Sequence, residues 1–153
     1  MELNLTKNGK LFTFLYDDDD HQKISKYKWY VDAHGYAKAD HLHTTIQMHR
    51  LVTNPPPGLV VDHINGNRLD NRKVNLRACT QQQNTFNSKV TTGRKYKGVS
   101  WDKSKNKYEA YICPNGKKLH LGYYSDENEA ALAYNAAAIV HFGQFANLNK
   151  AVK

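Results

Sequence analysis

Asp62 and His63 stand side by side in a basic stretch of the chain, with Asn75 twelve residues beyond the histidine and Asn84 twenty-one beyond it. Each alone has a plain structural use, the pair before a turn and the asparagines in loops and first helical turns. Together they suit phosphate chemistry. An imidazole, with an ordinary pKa of about 6.5, takes a proton from water near neutrality. A neighbouring carboxylate and an asparagine amide oxygen are hard ligands of the kind a magnesium-like cation accepts. Such a cation neutralises charge that develops on a phosphate and its leaving oxygen. A second asparagine can hold the imidazole in one tautomer or brace its loop.

The charge distribution agrees with that chemistry. The chain has 153 residues, and 22 Lys and Arg against 14 Asp and Glu leave a net charge of +8. Residues 1–48 carry six basic and seven acidic side chains, a net of −1. Residues 49–95 carry eight basic and two acidic, a net of +6, and residues 96–153 eight and five, a net of +3. Arg50, Arg68, Arg72 and Arg77 fall in the middle segment. Their planar forks make them candidate phosphate ligands, although a solvated surface also holds such charges. Asp62 and Asp70 are the acidic exceptions there. A basic chain points first to nucleic acid and second to an acidic protein partner. No run of 18 apolar residues is present, so no membrane span is expected. MELNLTKNGK lacks the apolar stretch of a secretory signal, which leads to the expectation of a cytoplasmic protein. Two cysteines, Cys79 and Cys113, cannot form a disulfide framework or a four-cysteine zinc site. His41, His43 and His49 have no nearby cysteine to complete a zinc cluster.

The elements that must position these residues are short. Leu11–Tyr16 reads as a strand running into Asp17–Asp20, a solvated turn that caps a helix over HQKISKY. Lys28–Val31, Gly35–Ala39 and Thr44–Met48 read as further strands. NPPPG at 54–58 breaks the chain before a strand at Leu59–Asp62, and Asn65-Gly66-Asn67 supplies a tight turn. Leu76–Cys79 is the next strand, and Thr80 to Gln83 has capping-box spacing, so a helix beginning near Gln81 carries Asn84. After a polar linker at 88–95 come strands at Tyr96–Trp101, Lys107–Cys113 and Lys118–Tyr124. Ser125 then caps a helix that stops at Gly143, with Ala130, Leu132, Ala133, Ala137, Val140 and His141 on one face.

The stretch MHRLVTNPPPGLVVDHINGNRLDNRKVNLRACTQQQNTFNS, residues 48–88, resembles the HNH endonuclease motif of phage and intron-encoded homing endonucleases. That resemblance implies a ββα-metal fold in which His63 is the general base. Asp62 and Asn84 would hold one divalent metal, and Asn75 would be the orienting asparagine. Asn84 in place of the motif's histidine favours magnesium or manganese. His49-Arg50 also matches, with a phosphate-contacting or bracing role. The two CxxC pairs of many relatives are absent, so no structural zinc is expected.

The stretch YKGVSWDKSKNKYEAYICPNGKKLHLGYYSDENEAALAYNAAAIVHFGQFANLN, from Tyr96, resembles the AP2 DNA-binding domain. It implies a three-stranded antiparallel sheet set in the major groove and backed by a helix. Lys97, Ser100, Tyr111, Cys113, Lys118 and His120 fall where that family contacts DNA, while Lys103, Lys105, Lys107 and Lys117 are suited to phosphates. Tyr108 and Tyr124 read as core.

The expectation is an α+β chain with a β-rich module at 1–47, an HNH ββα-metal nuclease at 48–90 and an AP2-like DNA-binding domain at 91–153. It would be a metal-dependent endonuclease of phage or mobile-element type that hydrolyses double-stranded DNA with one Mg2+ or Mn2+, inside a bacterial host if phage-encoded. One HNH site cuts one strand, so a double-strand break needs a homodimer or sequential nicks. The competing readings are a non-cleaving DNA-binding regulator and an RNA-binding protein.

Overall fold

The computed structural model describes residues 1–88, 90 and 93–151. Lys89, Thr91 and Thr92 of the expected linker lie outside the described residues. Two units form, Met1–Gln81 and Gln82–Lys153.

In the first unit, β1 (Glu2–Lys7) and β2 (Lys10–Leu15) make an antiparallel hairpin. Asn8 and Gly9 turn it with positive φ, as a two-residue hairpin requires. Leu3 opposes Phe14 and Leu5 opposes Phe12, giving the hairpin one apolar face. Only the second of these strands was expected, because ELNLTK has just two apolar residues. The acidic run differs more from its expected form. Asp18–Asp20 is a single 3-10 turn, α1 (His21–Ile24) has four residues, and neither has a side-chain cap. Asp20 is buried, and Lys73 Nζ lies 3.0 Å from Asp19 and 3.1 Å from Asp20. The backbone N–H of Lys73 donates to Asp17 at 2.7 Å. The run thus clamps the loop ahead of Asn75.

β3 (Tyr30–Val31), β4 (Ala37–His41) and β5 (Thr44–Gln47) follow as an antiparallel sheet in that order. Asp32 ties the β3–β4 turn, accepting from the N–H groups of His34 and Tyr36 at 2.9 Å and pairing with Lys38 at 2.7 Å. Burial works against the charged carboxylate, but Lys38 and the two N–H groups outweigh it and hold its pKa at about 2. That depression stabilises the fold above the unfolded value of 3.8 and is lost as pH falls towards 2. Asp32→Asn is expected to cost about 1 kcal/mol at neutral pH, after allowing for solvent screening. The cost should shrink to nothing near pH 2 in urea titrations run across that range.

Met48 does not end a strand. It opens α2 (Met48–Thr53), which stops where Asn54 turns left-handed ahead of Pro55. Met48 and Val52 are buried with Phe14, Ile24, Trp29, Val31, Val61 and Leu76 in one core. That core places the β-rich segment and the hairpin of β6 (Val60–His63) and β7 (Leu76–Cys79) in the same unit.

α3 (Gln81–Phe86) leads into the second unit, where the Phe86 ring stacks on Phe142 at 3.9 Å. β8 (Val99–Asp102), β9 (Lys107–Ile112) and β10 (Leu119–Tyr124) form a three-stranded antiparallel sheet with β9 central. α4 (Glu127–Phe142) packs on it. Its cap is Asp126 rather than Ser125, with the carboxylate accepting from the N–H groups of Asn128 and Glu129. The buried face is Ala130, Ala131, Tyr134, Ala138 and Phe142, while Val140 is 80 % exposed. Apolar residues such as Ile139 and Val140 also occupy the exposed side of this helix, so its spacing does not single out the packed side. Close approach explains the small residues. A Cβ on Gly98 would sit 2.1 Å from the Tyr134 ring.

Candidate active site

The β6–β7 register sets Asp62 opposite Arg77 and His63 opposite Leu76. A strand ordinarily alternates its faces, yet both side chains are buried, Asp62 at 4 % and His63 at 5 % exposure. Each is held differently. Asp62 Oδ2 accepts from Arg77 Nε at 2.8 Å and Nη2 at 2.6 Å. His63 Nε2 lies 3.5 Å from Asn71 Oδ1. The amide of Asn71 is not free to flip, because its Nδ2 donates to the Leu69 carbonyl at 3.1 Å. Its backbone N–H is fixed to Leu15 O at 2.7 Å. An amide oxygen only accepts, so this contact favours the tautomer with the proton on Nε2. Burial pushes the His63 pKa below its usual value, with Asn71, Asp62 and Asp70 opposing the shift.

Asn75 plays a different part from Asn71. Its Oδ1 accepts from Asn65 N at 2.9 Å and its Nδ2 donates to Asp70 O at 2.8 Å. Both ends therefore brace the loop between the strands. Asp70 in turn holds Arg72 through two bonds of 2.8 Å. Arg68 covers the Tyr36 ring at 4.6 Å and donates to His34 O, and Arg50 is exposed beside the Leu59 carbonyl. Of Arg50, Arg68, Arg72 and Arg77, the last two are thus joined to carboxylates. Asn84 lies on α3, half-buried, beyond Gln81. Asn71, Tyr36 and His49 were missed as neighbours of His63. The only sequence signal for Asn71 was its place beside the acidic exception Asp70.

The Asp62 carboxylate, engaged by Arg77, is a hard oxygen donor of the kind a divalent ion accepts. No group of three or more His, Cys, Asp or Glu gathers among the described residues. Magnesium is commonly held by one or two protein oxygens, with water and substrate phosphates completing the shell.

In the second unit, Lys97 turns inward, its Nζ donating to Phe86 O at 2.6 Å and Ser88 O at 2.9 Å, and burial lowers its pKa. The outer sheet face has Glu109 at its centre, bonded to Lys118 at 2.8 Å and His120 at 3.2 Å. Ser100 lies opposite Glu109 on β8. Lys118 stands 4.4 Å over the Tyr111 ring, Arg94 donates to the Tyr111 hydroxyl, and Lys105 lies 4.7 Å over Tyr123. Lys103, Lys105 and Lys107 are exposed.

The β6–β7 hairpin thus presents a buried Asp-His pair, with Asn71 beside the imidazole. Comparison with known proteins identifies the family. Residues 54–86 match the HNH endonuclease family. Uncharacterized HNH endonuclease L560 of Acanthamoeba polyphaga mimivirus is 38 % identical over 133 residues, covering 83 % of this chain and 69 % of that protein. Protein 3.8 of Escherichia phage T7 is 31 % identical over 106 residues, 66 % of this chain and 85 % of that one. The chain belongs to the HNH endonucleases. It is a phosphodiester hydrolase whose family typically uses a divalent metal, with DNA as the substrate that membership implies. No described helix is long and apolar enough to cross a membrane.

Proposed function

We propose that this enzyme nicks double-stranded DNA with His63 as general base, and that the outer face of the β8–β10 sheet targets it in the manner of an AP2 domain. The observation that carries the first part is the His63–Asn71 contact beside the buried Asp62 carboxylate. His63 Nδ1 takes the proton of an attacking water, whose oxygen bonds to phosphorus as the 3′ oxygen leaves. The products are 5′-phosphate and 3′-hydroxyl ends. Asp62 and Asn84 would hold one magnesium or manganese ion, which supplies charge neutralisation at the leaving oxygen. Asn75 keeps the loop in place. For targeting, the support is the basic and aromatic face around Tyr111 and Tyr123. With Lys118 and His120 engaged by Glu109, phosphate binding there falls to Lys103, Lys105 and Lys107, with Arg50 and Arg68 serving the hairpin.

Supercoiled plasmid is the test substrate. Nicked circles should accumulate with Mg2+ or Mn2+ and not with EDTA, and the nicks should be sealable by ligase. Failure to nick with any divalent ion, despite tight binding, would favour the non-cleaving regulator. Targeting is tested separately by Lys105→Ala combined with Lys107→Ala. Each phosphate contact contributes about −0.9 to the slope of log K against log salt. The double variant should flatten that slope by about 1 to 2 while leaving the cleavage rate of saturated enzyme unchanged. An unaltered slope would remove the sheet face from DNA binding.

A further inference from the structure

His49 stands on the first turn of α2, ahead of residues 54–86. Its ring is 5 % exposed and lies 5.2 Å from that of His63, almost perpendicular at 80°. Tyr36 completes the cluster, 5.3 Å from His49 and 6.0 Å from His63. Arg68 lies over the tyrosine ring at 4.6 Å. Nδ1 of His49 is buried with no hydrogen-bond partner. Burial first, and the neighbouring His63 second, push its pKa down to about 3, so the ring is neutral at any working pH.

An imidazole is a poor choice for that position if packing is its only task. A buried nitrogen without a partner destabilises the fold, and an apolar ring of the same shape would fill the space without that cost. Residues that cost stability without structural return concentrate at functional sites. We propose that His49 is a positioning residue for cleavage: with Tyr36 it sets the plane of the His63 ring, and its buried nitrogen finds its hydrogen-bond partner only in the DNA-bound state. This inference rests on His63 being the base. It goes beyond that role by assigning a second imidazole to the same site.

The test compares His49→Phe and His49→Gln with wild type in the full chain. His49→Phe should melt a few degrees higher, yet nick plasmid at least tenfold more slowly in kcat with KM unchanged. His49→Gln, which restores a polar atom, should recover part of the rate. Long-range proton–nitrogen NMR in EDTA gives a readout independent of turnover. The His63 ring signals should shift in His49→Phe, and the His49 ring nitrogens of wild type should shift when a duplex of mixed sequence is added. Full activity in the phenylalanine variant, a lower melting temperature, or unmoved His63 signals would each overturn the proposal. If wild type itself does not nick, the assignment of His63 as base fails, while the NMR of the free protein still decides whether His49 sets the His63 ring.

Discussion

His63→Ala is expected to reduce plasmid nicking by about 10²- to 10⁴-fold, the usual contribution of a positioned general base. DNA affinity measured in EDTA should stay within about twofold of wild type. The separation follows from where the ring sits. His63 is buried against Tyr36 and His49 and bonded to Asn71, so its removal deletes the proton acceptor without touching the exposed cations. Truncation leaves a void the size of an imidazole, with a stability cost of about 1–3 kcal/mol. Thermal melting must therefore be measured alongside the rate, and assays kept well below the transition. The void also offers a control. Free imidazole added at high concentration fits the space and should restore part of the lost rate in His63→Ala but not in a variant lacking Asp62. Nicking within tenfold of wild type would take His63 out of the chemistry.

What the sequence reveals here is local, and what it hides is distant. Asp62-His63 and the Asn65-Gly66-Asn67 turn are legible because the strand and turn that present them lie within a few residues. Asn71 is not legible, since its backbone is fixed by Leu15, 56 residues earlier, while its amide is held by the Leu69 carbonyl. The acidic run was readable as a cap, yet its partner is Lys73 on a loop more than fifty residues away. Charge counting shares this blindness. It finds Arg72 and Arg77 as positive charge but not that Asp70 and Asp62 hold them. The basic excess available to DNA from the hairpin is therefore smaller than the composition suggests, and the exposed arginines Arg50 and Arg68 carry more of it. α2 escaped for a related reason. MHRLVT is too short to show helical periodicity, and its stop signal is an asparagine in a left-handed conformation.

The division of labour between the two asparagines yields the sharpest contrast. Asn71→Leu removes the acceptor that favours the Nε2-protonated His63 tautomer, so kcat should fall about 10- to 100-fold, the range seen when the group orienting a site histidine is lost. KM should not change, because no exposed phosphate contact is altered. Asn75→Ala removes two hydrogen bonds to backbone, those to Asn65 N and Asp70 O, from a buried position. Each group left without a partner costs about 1–3 kcal/mol, so this variant should lose about 2–4 kcal/mol of stability. Its rate per folded molecule should stay near wild type at temperatures where the loop is formed. Leucine at 71 also removes one of the two hydrogen bonds to the Leu69 carbonyl, which keeps the one from Leu15 N, so only a small loss of stability accompanies the kinetic defect there. The ratio of effects separates the roles. Asn71 should be the kinetic residue and Asn75 the structural one, read from kcat and melting temperature on the same preparations. The reverse pattern, with Asn75→Ala slow but stable and Asn71→Leu unstable but fast, would return the orienting role to Asn75 and make Asn71 a packing residue.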